Sequence, residues 1–280
     1  MLARLPIFLT HAAVVLLLST TSVPGLSAPI SDLPNPQAVG DGASLVAAAS
    51  QAHQPNMENR ALACTGCHGK LGVATADGYF PRIAGKPAGY LLNQLRHFKS
   101  GARQFEGMNR LVKSLPDDYL RQFAAYFADL DLPYPAPESQ RLSSAETKRA
   151  MALVNDGDQQ LNVPACKSCH GSTLTGVLPA VPGLLGLPRD YLTAQLGAWK
   201  NGLRNAHQPD CMATVVKRLP VADLTAVAGW LAAQPVPVNS KPLDIREHRQ
   251  GAVESPIKCG TRETDLATKS SKPATTATKG

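Results

Sequence analysis

Apolar positions recur along this chain at helical spacing, and they do so twice. Leu91, Leu95 and Phe98 fall at i, i+4 and i+7, and Leu192, Leu196 and Trp199 repeat them 101 residues later. A second stripe, Leu120, Phe123, Ala124 and Phe127, returns as Leu224, Val227, Ala228 and Leu231 at an offset of 104. Each stripe predicts a helix with one buried face, and the stripes read as core. The later helix of each pair is expected to begin at Pro116 and Pro220, since proline suits the first helical turn. Asp117 and Asp118 complement the dipole there, and Asp190 is the expected N-cap of the second middle helix. An alanine-rich helix is expected over Ala43–Ala52. Strand-like alternation is scarce, so the pattern predicts an all-α chain with a duplicated unit.

The joints between helices repeat as well. Phe80-Pro81-Arg82-Ile83-Ala84-Gly85-Lys86-Pro87 and Val181-Pro182-Gly183-Leu184-Leu185-Gly186-Leu187-Pro188 share a Pro, apolar, Gly, Pro skeleton at the 101 offset. Tyr90 and Tyr191, Gln94 and Gln195, Gly101 and Gly202, and Arg103 and Arg204 keep that offset. The change to 104 at Met108 and Met212 means that the second loop holds three extra residues. Leu132-Pro133-Tyr134-Pro135-Ala136-Pro137 reads as a stiff linker. The expected organisation is a signal peptide over 1–28, a linker over 29–40, a first domain over 41–131, a proline-rich linker over 132–140, a second domain over 141–235 and a partly disordered extension over 236–280. Domains of this size suit one core each.

Aromatic residues make up only 5% of the 280 residues, thin for two cores. The formal charge of +7 suits an acidic partner or anionic membrane heads, and bears on encounter rather than fold. No basic stripe with interleaved aromatics is present, so a nucleic-acid partner is not expected. Arg4 followed by the apolar Ile7–Leu18 run and the small residues to Ala28 reads as a secretory signal, too short to span a bilayer comfortably. Cleavage after Ala28 would place Pro29 next; Val23-Pro24-Gly25 is an alternative site, and an uncleaved anchor a third possibility. Each version exports the folded part.

The candidate chemistry is Cys64-Thr65-Gly66-Cys67-His68 and its copy Cys166-Lys167-Ser168-Cys169-His170. C-x-x-C-H attaches a c-type haem: two thiols reach two vinyl groups on one edge while the histidine sits beneath the iron. A thioredoxin-like pair would need a βαβ context, and Cys-Cys-His within five residues is poor tetrahedral geometry for one zinc. A haem in each half would also supply the apolar body that the sparse aromatics do not.

An iron with histidine on one face needs a partner on the other. Met108 and Met212 lie in matching places, in loops ahead of each final helix, and are the expected distal ligands. A thioether stabilises ferrous iron and suits electron transfer. Met151 reads as core filler, and His53 and Met57 as surface or loop residues. His97 aligns with Ala198 and His207 has no counterpart, so neither repeats. Cys211 is a rival ligand, being next to Met212. With four cysteines taken by haem and an oxidising compartment, a Cys211–Cys259 disulfide is expected instead.

Val163-Pro164-Ala165-Cys166-Lys167-Ser168-Cys169-His170-Gly171, Phe80–Gly85, Tyr90–Leu95, Phe98–Arg103 and the two methionine loops resemble the dihaem class I cytochromes c of the cytochrome c4 type, over about residues 41 to 235. The resemblance implies two tandem class I cytochrome c domains, each wrapped around one covalently bound haem c and related by a pseudo-twofold axis. It implies that the Pro81 and Pro182 carbonyls accept the Nδ1–H of His68 and His170, and that Arg82, Arg103 and Arg204 partner haem propionates. The tail after residue 235 and the Cys211–Cys259 pair depart from it.

The expected function is a periplasmic carrier of single electrons. The donor would be a quinol–cytochrome c reductase or a dehydrogenase, the acceptor a terminal oxidase or another acceptor, and any membrane association would come through such partners. No catalytic residue is expected. The alternatives are a cytochrome subunit held in a membrane dehydrogenase or oxidase complex, and a dihaem peroxidase or thiosulfate-oxidising enzyme. Matched methionines argue against the last two by closing both irons.

Overall fold

The computed structural model describes residues 56–75, 77–139, 141–251 and 257–260. The expected signal, first linker, Ala43–Ala52 helix, His53 and the tail from Thr261 lie outside them. In the first half, α1 (Met57–Arg60) and α2 (Leu62–His68) lead into a 3-10 turn at Lys70–Gly72. Then come α3 (Ala88–Ser100), α4 (Glu106–Val112) and α5 (Asp117–Asp129). The second half holds α6 (Ser144–Asn155), α7 (Lys167–His170), a two-stranded hairpin of β1 (Gly176–Val177) and β2 (Val181–Pro182), α8 (Arg189–Lys200), α9 (Cys211–Arg218) and α10 (Val221–Ala232). A last helix, α11, covers Ile245–Gly251.

Each half has its own apolar cluster. In the first, α3 packs on α5, and Leu91, Leu92, Phe98, Leu120, Phe123, Ala124 and Phe127 are buried together. In the second, α10 lies against both α6 and α8. That explains why α10 is apolar nearly all round: Leu224, Ala226, Val227, Ala228, Gly229, Leu231 and Ala232 are all buried. Leu192, Leu153 and Val154 face them. Ser143 and Glu146 start α6 with a reciprocal capping box. The fold is therefore two tandem helical domains with the apolar stripes turned inward.

Several local expectations are revised. Pro116 and Pro220 occupy the N-cap, one residue ahead of α5 and α10, with extended ψ near 150°. Asp190 lies in the first turn of α8, and Pro188 is the cap; an acidic side chain there still complements the dipole. Met57 lies on α1 and packs on the first core rather than in a loop. Met151 is 45% exposed, so it is not core filler. It lies on the outer side of α6, away from the buried Ala150, Leu153 and Val154.

The extension departs from an irregular tail. Leu243 pairs with Val177 beside β1, and the Leu178 N–H donates to the Leu243 carbonyl at 2.8 Å. The Thr175 hydroxyl donates to the Lys241 carbonyl at 3.1 Å. The chain thus returns across the second haem motif before α11. No helix among the described residues is long and apolar enough to cross a membrane.

Candidate haem sites

The motif histidines end α2 and α7 and are buried, at 8% and 7% exposure. Glycine follows each one and turns the chain with positive φ, +76° at Gly69 and +87° at Gly171. A Cβ on Gly69 would stand 2.1 Å from the Ala74 carbonyl oxygen, so the tight turn excludes any side chain. The chain then folds back to bring a proline carbonyl to each imidazole. His68 Nδ1 lies 2.8 Å from the Pro81 oxygen, and His170 Nδ1 lies 2.8 Å from the Pro182 oxygen. A carbonyl only accepts, so Nδ1 carries the proton and Nε2 keeps its lone pair.

Backbone bonds hold these prolines in place. The Ile83 and Ala84 N–H groups both donate to the Gly72 carbonyl, at 2.9 and 3.0 Å. The Leu184 N–H donates to the Leu174 carbonyl at 2.8 Å. Gly183 permits the second arrangement, because a Cβ there would lie 2.5 Å from the Thr175 oxygen. Burial holds both imidazoles below their ordinary pKa. Each proline bond opposes that effect, and nearby basic groups add to it: Arg103 at His68, and Lys86 followed by His248 at His170. The imidazoles are therefore neutral near pH 7, the form that ligates a metal.

Burial disfavours the thiolate form of the first cysteine in each motif. Burial, then the neighbouring Cys67, pushes Cys64 up to about 11. Burial, then Cys169, pushes Cys166 up to about 12. A thioredoxin-type centre needs the opposite, a lowered and reactive thiol. Among the described residues no three His, Cys, Asp or Glu side chains converge to hold a metal ion, as a zinc reading would require.

Cys64 and Met108 pack against the first core, Cys166 and Met212 against the second. Each half thus gathers motif and methionine around a single apolar cluster. The methionines lie on helices rather than loops: Met108 is the third residue of α4 and Met212 the second of α9. Asp210 caps α9 by accepting from the Ala213 N–H at 2.9 Å, which fixes the turn that carries Cys211 and Met212. Cys211 is joined to Cys259, with 4.9 Å between their Cα atoms. The Gly260 N–H donates to the Pro209 carbonyl at 2.9 Å, so the tail is fastened beside the second methionine.

Arg103 and Arg204 meet at the junction between halves. They form an antiparallel bridge, flanked by Gln104 N–H to Leu203 carbonyl at 2.9 Å and Asn205 N–H to Ala102 carbonyl at 2.8 Å. Arg103 donates to Gln94, Tyr191 and Gln195 at 2.9, 3.1 and 2.6 Å. Arg204 donates to Gln195, Tyr90 and Gln94 at 2.8, 3.3 and 3.0 Å. The set is self-complementary, as a twofold relation demands. Both arginines are buried, at 8% and 5% exposure, and among the described residues neither forms an ion pair with a carboxylate. Arg82 is engaged elsewhere. It donates to the carbonyls of Ala84, Pro133 and Leu132 and stacks 4.0 Å over Tyr134, tying the proline linker to the first half.

These features fit haem. Among the described residues two buried cations have no carboxylate partner, a role haem propionates would suit, and the buried His97 Nε2 and Trp199 Nε1 have no hydrogen-bond partner. Two apolar cores each present a tautomer-fixed imidazole and a thioether. Comparison with known proteins decides the family. Over 177 residues the chain is 38% identical to the thiosulfate dehydrogenase electron acceptor of Thiomonas intermedia, covering 63% of this chain and 80% of that protein. It is 30% identical to cytochrome c4 of Pseudomonas aeruginosa over 174 residues, 61% of this chain and 84% of the relative.

The chain belongs to the cytochrome c4 family.

The crystal structure of reduced cytochrome c4 from Pseudomonas stutzeri superposes with a TM-score of 0.55 at 27% identity, over 64% of this chain and 96% of that one. No family model matches the chain. As a cytochrome c4-type protein it carries two covalently attached haem c groups and transfers electrons between redox partners. Reading the sequence found the motifs and the methionines. It did not find the crossed arginine network, although the paired Tyr90/Tyr191 and Gln94/Gln195 were the visible signal. It also missed His248, whose ring Nε2 lies 2.9 Å from the Ser168 carbonyl inside the second motif, because one histidine in a tail carries no pattern.

Proposed function

We propose that this cytochrome is a periplasmic one-electron relay that is not itself an enzyme. Cys64 and Cys67 hold the first haem and Cys166 and Cys169 the second. His68 and Met108 would ligate the first iron, and His170 and Met212 the second. Bound haem supplies a reversible ferric–ferrous couple. The chain's own part is to exclude water, fix each imidazole through a proline carbonyl and bury the thioethers. Arg103 and Arg204, rather than the linker-bound Arg82, are the propionate partners, since both are buried without counter-charge.

The observation that carries this reading is the duplication of one detail, an imidazole Nδ1 at 2.8 Å from a proline oxygen in both halves. Such a bond sets the tautomer and raises ligand basicity. A peroxidase needs an open iron, and Met108 and Met212 both point against that by packing on the cores beside the motif cysteines. The donor proposed is a thiosulfate dehydrogenase, on the strength of the named role of the Thiomonas relative; the acceptor is a terminal oxidase. Permanent residence in a dehydrogenase complex is the second reading, supported by the same name.

Stopped-flow mixing with a thiosulfate dehydrogenase and thiosulfate tests the donor. Full reduction of both haems within the turnover time of the dehydrogenase is expected, with a rate that falls as salt rises. Reduction no faster than by thiosulfate alone would reject this donor. A visible spectrum lacking the red thioether–iron band in either haem would reject the ligand assignment.

A further inference from the structure

The two halves are not equivalent at one buried position. Lys86 follows Gly85 in the first proline loop, and its equivalent at the 101 offset is Leu187, an ordinary member of the second core. Lys86 is only 4% exposed. Its Nζ reaches out of its own half and donates to the Gly183 carbonyl at 3.3 Å. Gly183 follows Pro182, whose carbonyl accepts from His170. The first half also donates its Gly89 N–H to the Pro179 carbonyl at 3.1 Å, so the start of α3 and the second half's hairpin form one joint.

Among the described residues no carboxylate pairs with Lys86, although an unpaired buried ammonium is expensive. Burial, followed by repulsion from the cation of Arg82, pushes it down to about 8. It therefore remains charged at neutral pH. Lys86 Nζ donates to the carbonyl of the residue after Pro182, and the Pro182 carbonyl is the one that holds His170. A charge borne by the first domain thus stands beside the turn that fixes the histidine of the second.

We propose that Lys86 is a cross-domain positioning residue that raises the reduction potential of the second haem and so directs the electron from the first domain to the second. A fixed positive charge favours the centre that gains an electron. In general, at an effective dielectric of about 20, a unit charge acting over about 12 Å is worth a factor of about ten in an equilibrium. The transfer concerned is a single electron passing from one haem to the other, with no bond made or broken. Lys86 also braces the Pro182–Gly183 turn, and the experiment must separate charge from brace.

The test uses the dihaem protein and spectroelectrochemical titration of Lys86→Met, Lys86→Gln and Lys86→Arg. Heme-methyl NMR signals assign each midpoint to its haem. Loss of the charge in the Met and Gln variants is expected to shift the second-to-first partition of one electron about tenfold toward the first haem, which is about 59 mV for one electron. The Arg variant should keep the parent ratio. Gln retains a donor for Gly183, so a parent-like ratio in Lys86→Gln would overturn the proposal, leaving a brace only. Equal shifts of both midpoints would overturn it too. Should the Met variant fail to fold, the Gln and Arg pair decides alone. A parent protein without two reversible one-electron centres would sink the electron-carrier reading itself, a different result from any of these.

Discussion

Replacing Cys259 by serine removes the crosslink that fastens the extension to the second methionine helix. The cysteines are 48 residues apart. In the chain-entropy model a loop of that length stabilises the folded state by about 4 kcal/mol. The other fastenings of the extension are Leu243 to Gly176 and Leu178, Lys241 to Thr175, His248 to Ser168 and Gly260 to Pro209. Each nets about 1 kcal/mol, so together they rival the disulfide and the extension should stay docked but open more often. The loss should fall on the second half alone. Both tryptophans, Trp199 and Trp230, lie there, so their fluorescence in a denaturant titration reports that half without labelling. Hydrogen exchange supplies the control: amides of α10 should lose protection while those of α5 keep theirs. A change under about 1 kcal/mol in the tryptophan transition, or equal loss in α5 and α10, would refute the reasoning. In that case the tail would be an ornament rather than part of the second domain.

Other outcomes follow from the same geometry. Met108→Ala and Met212→Ala should each remove about half of the red thioether–iron band and lower one midpoint only; an unchanged spectrum would reject that ligand. Arg103→Ala strands the Tyr191 hydroxyl in the junction and leaves Gln94 and Gln195 to Arg204, and should cost about 1–3 kcal/mol, with a double-mutant cycle against Gln195→Ala showing coupling; strict additivity would dismiss the network as decoration. Burial, then His207 with its ring centre 4.8 Å away, pushes His97 down to about 4. The unfolded chain therefore takes up that proton first. Stability should be flat above about pH 6.5 and fall as pH drops toward 4. His97→Asn should flatten that part of a urea-unfolding series, and an unaltered slope would exclude this group. Leu120→Ala, at a fully buried site, should cost about 2–5 kcal/mol, measured in the same titrations; less than 1 kcal/mol would mean that α3 and α5 do not share a core.

Much of this protein was legible in its sequence because duplication makes periodic signals self-checking. The stripe at Leu120, Phe123, Ala124 and Phe127 is buried as spacing dictates, and its second copy is too. The haem motifs are local by nature, since two thiols and an imidazole must meet one small ring within a single turn. The disulfide was legible by subtraction, four cysteines being committed elsewhere. What spacing could not show is which carbonyl or hydroxyl lies across a domain boundary. Arg82, an expected propionate partner, also donates to the linker carbonyls of Leu132 and Pro133, which no spacing along the chain announces. Met151 looked like core filler, yet helical phase turns it outward.

The sequence by itself fixed the cofactor, the number of copies and the inward faces, since these depend on spacings of a few residues along one chain. Tertiary structure alone decided how the halves and the extension meet. Lys86 reaches Gly183, the arginines exchange partners, and the extension crosses the second motif, all through contacts between segments 60 to 110 residues apart, or more. Such contacts arise from close packing of two bodies, where a buried donor must find an acceptor from whichever backbone lies nearest, and no pattern along the chain records which one that will be.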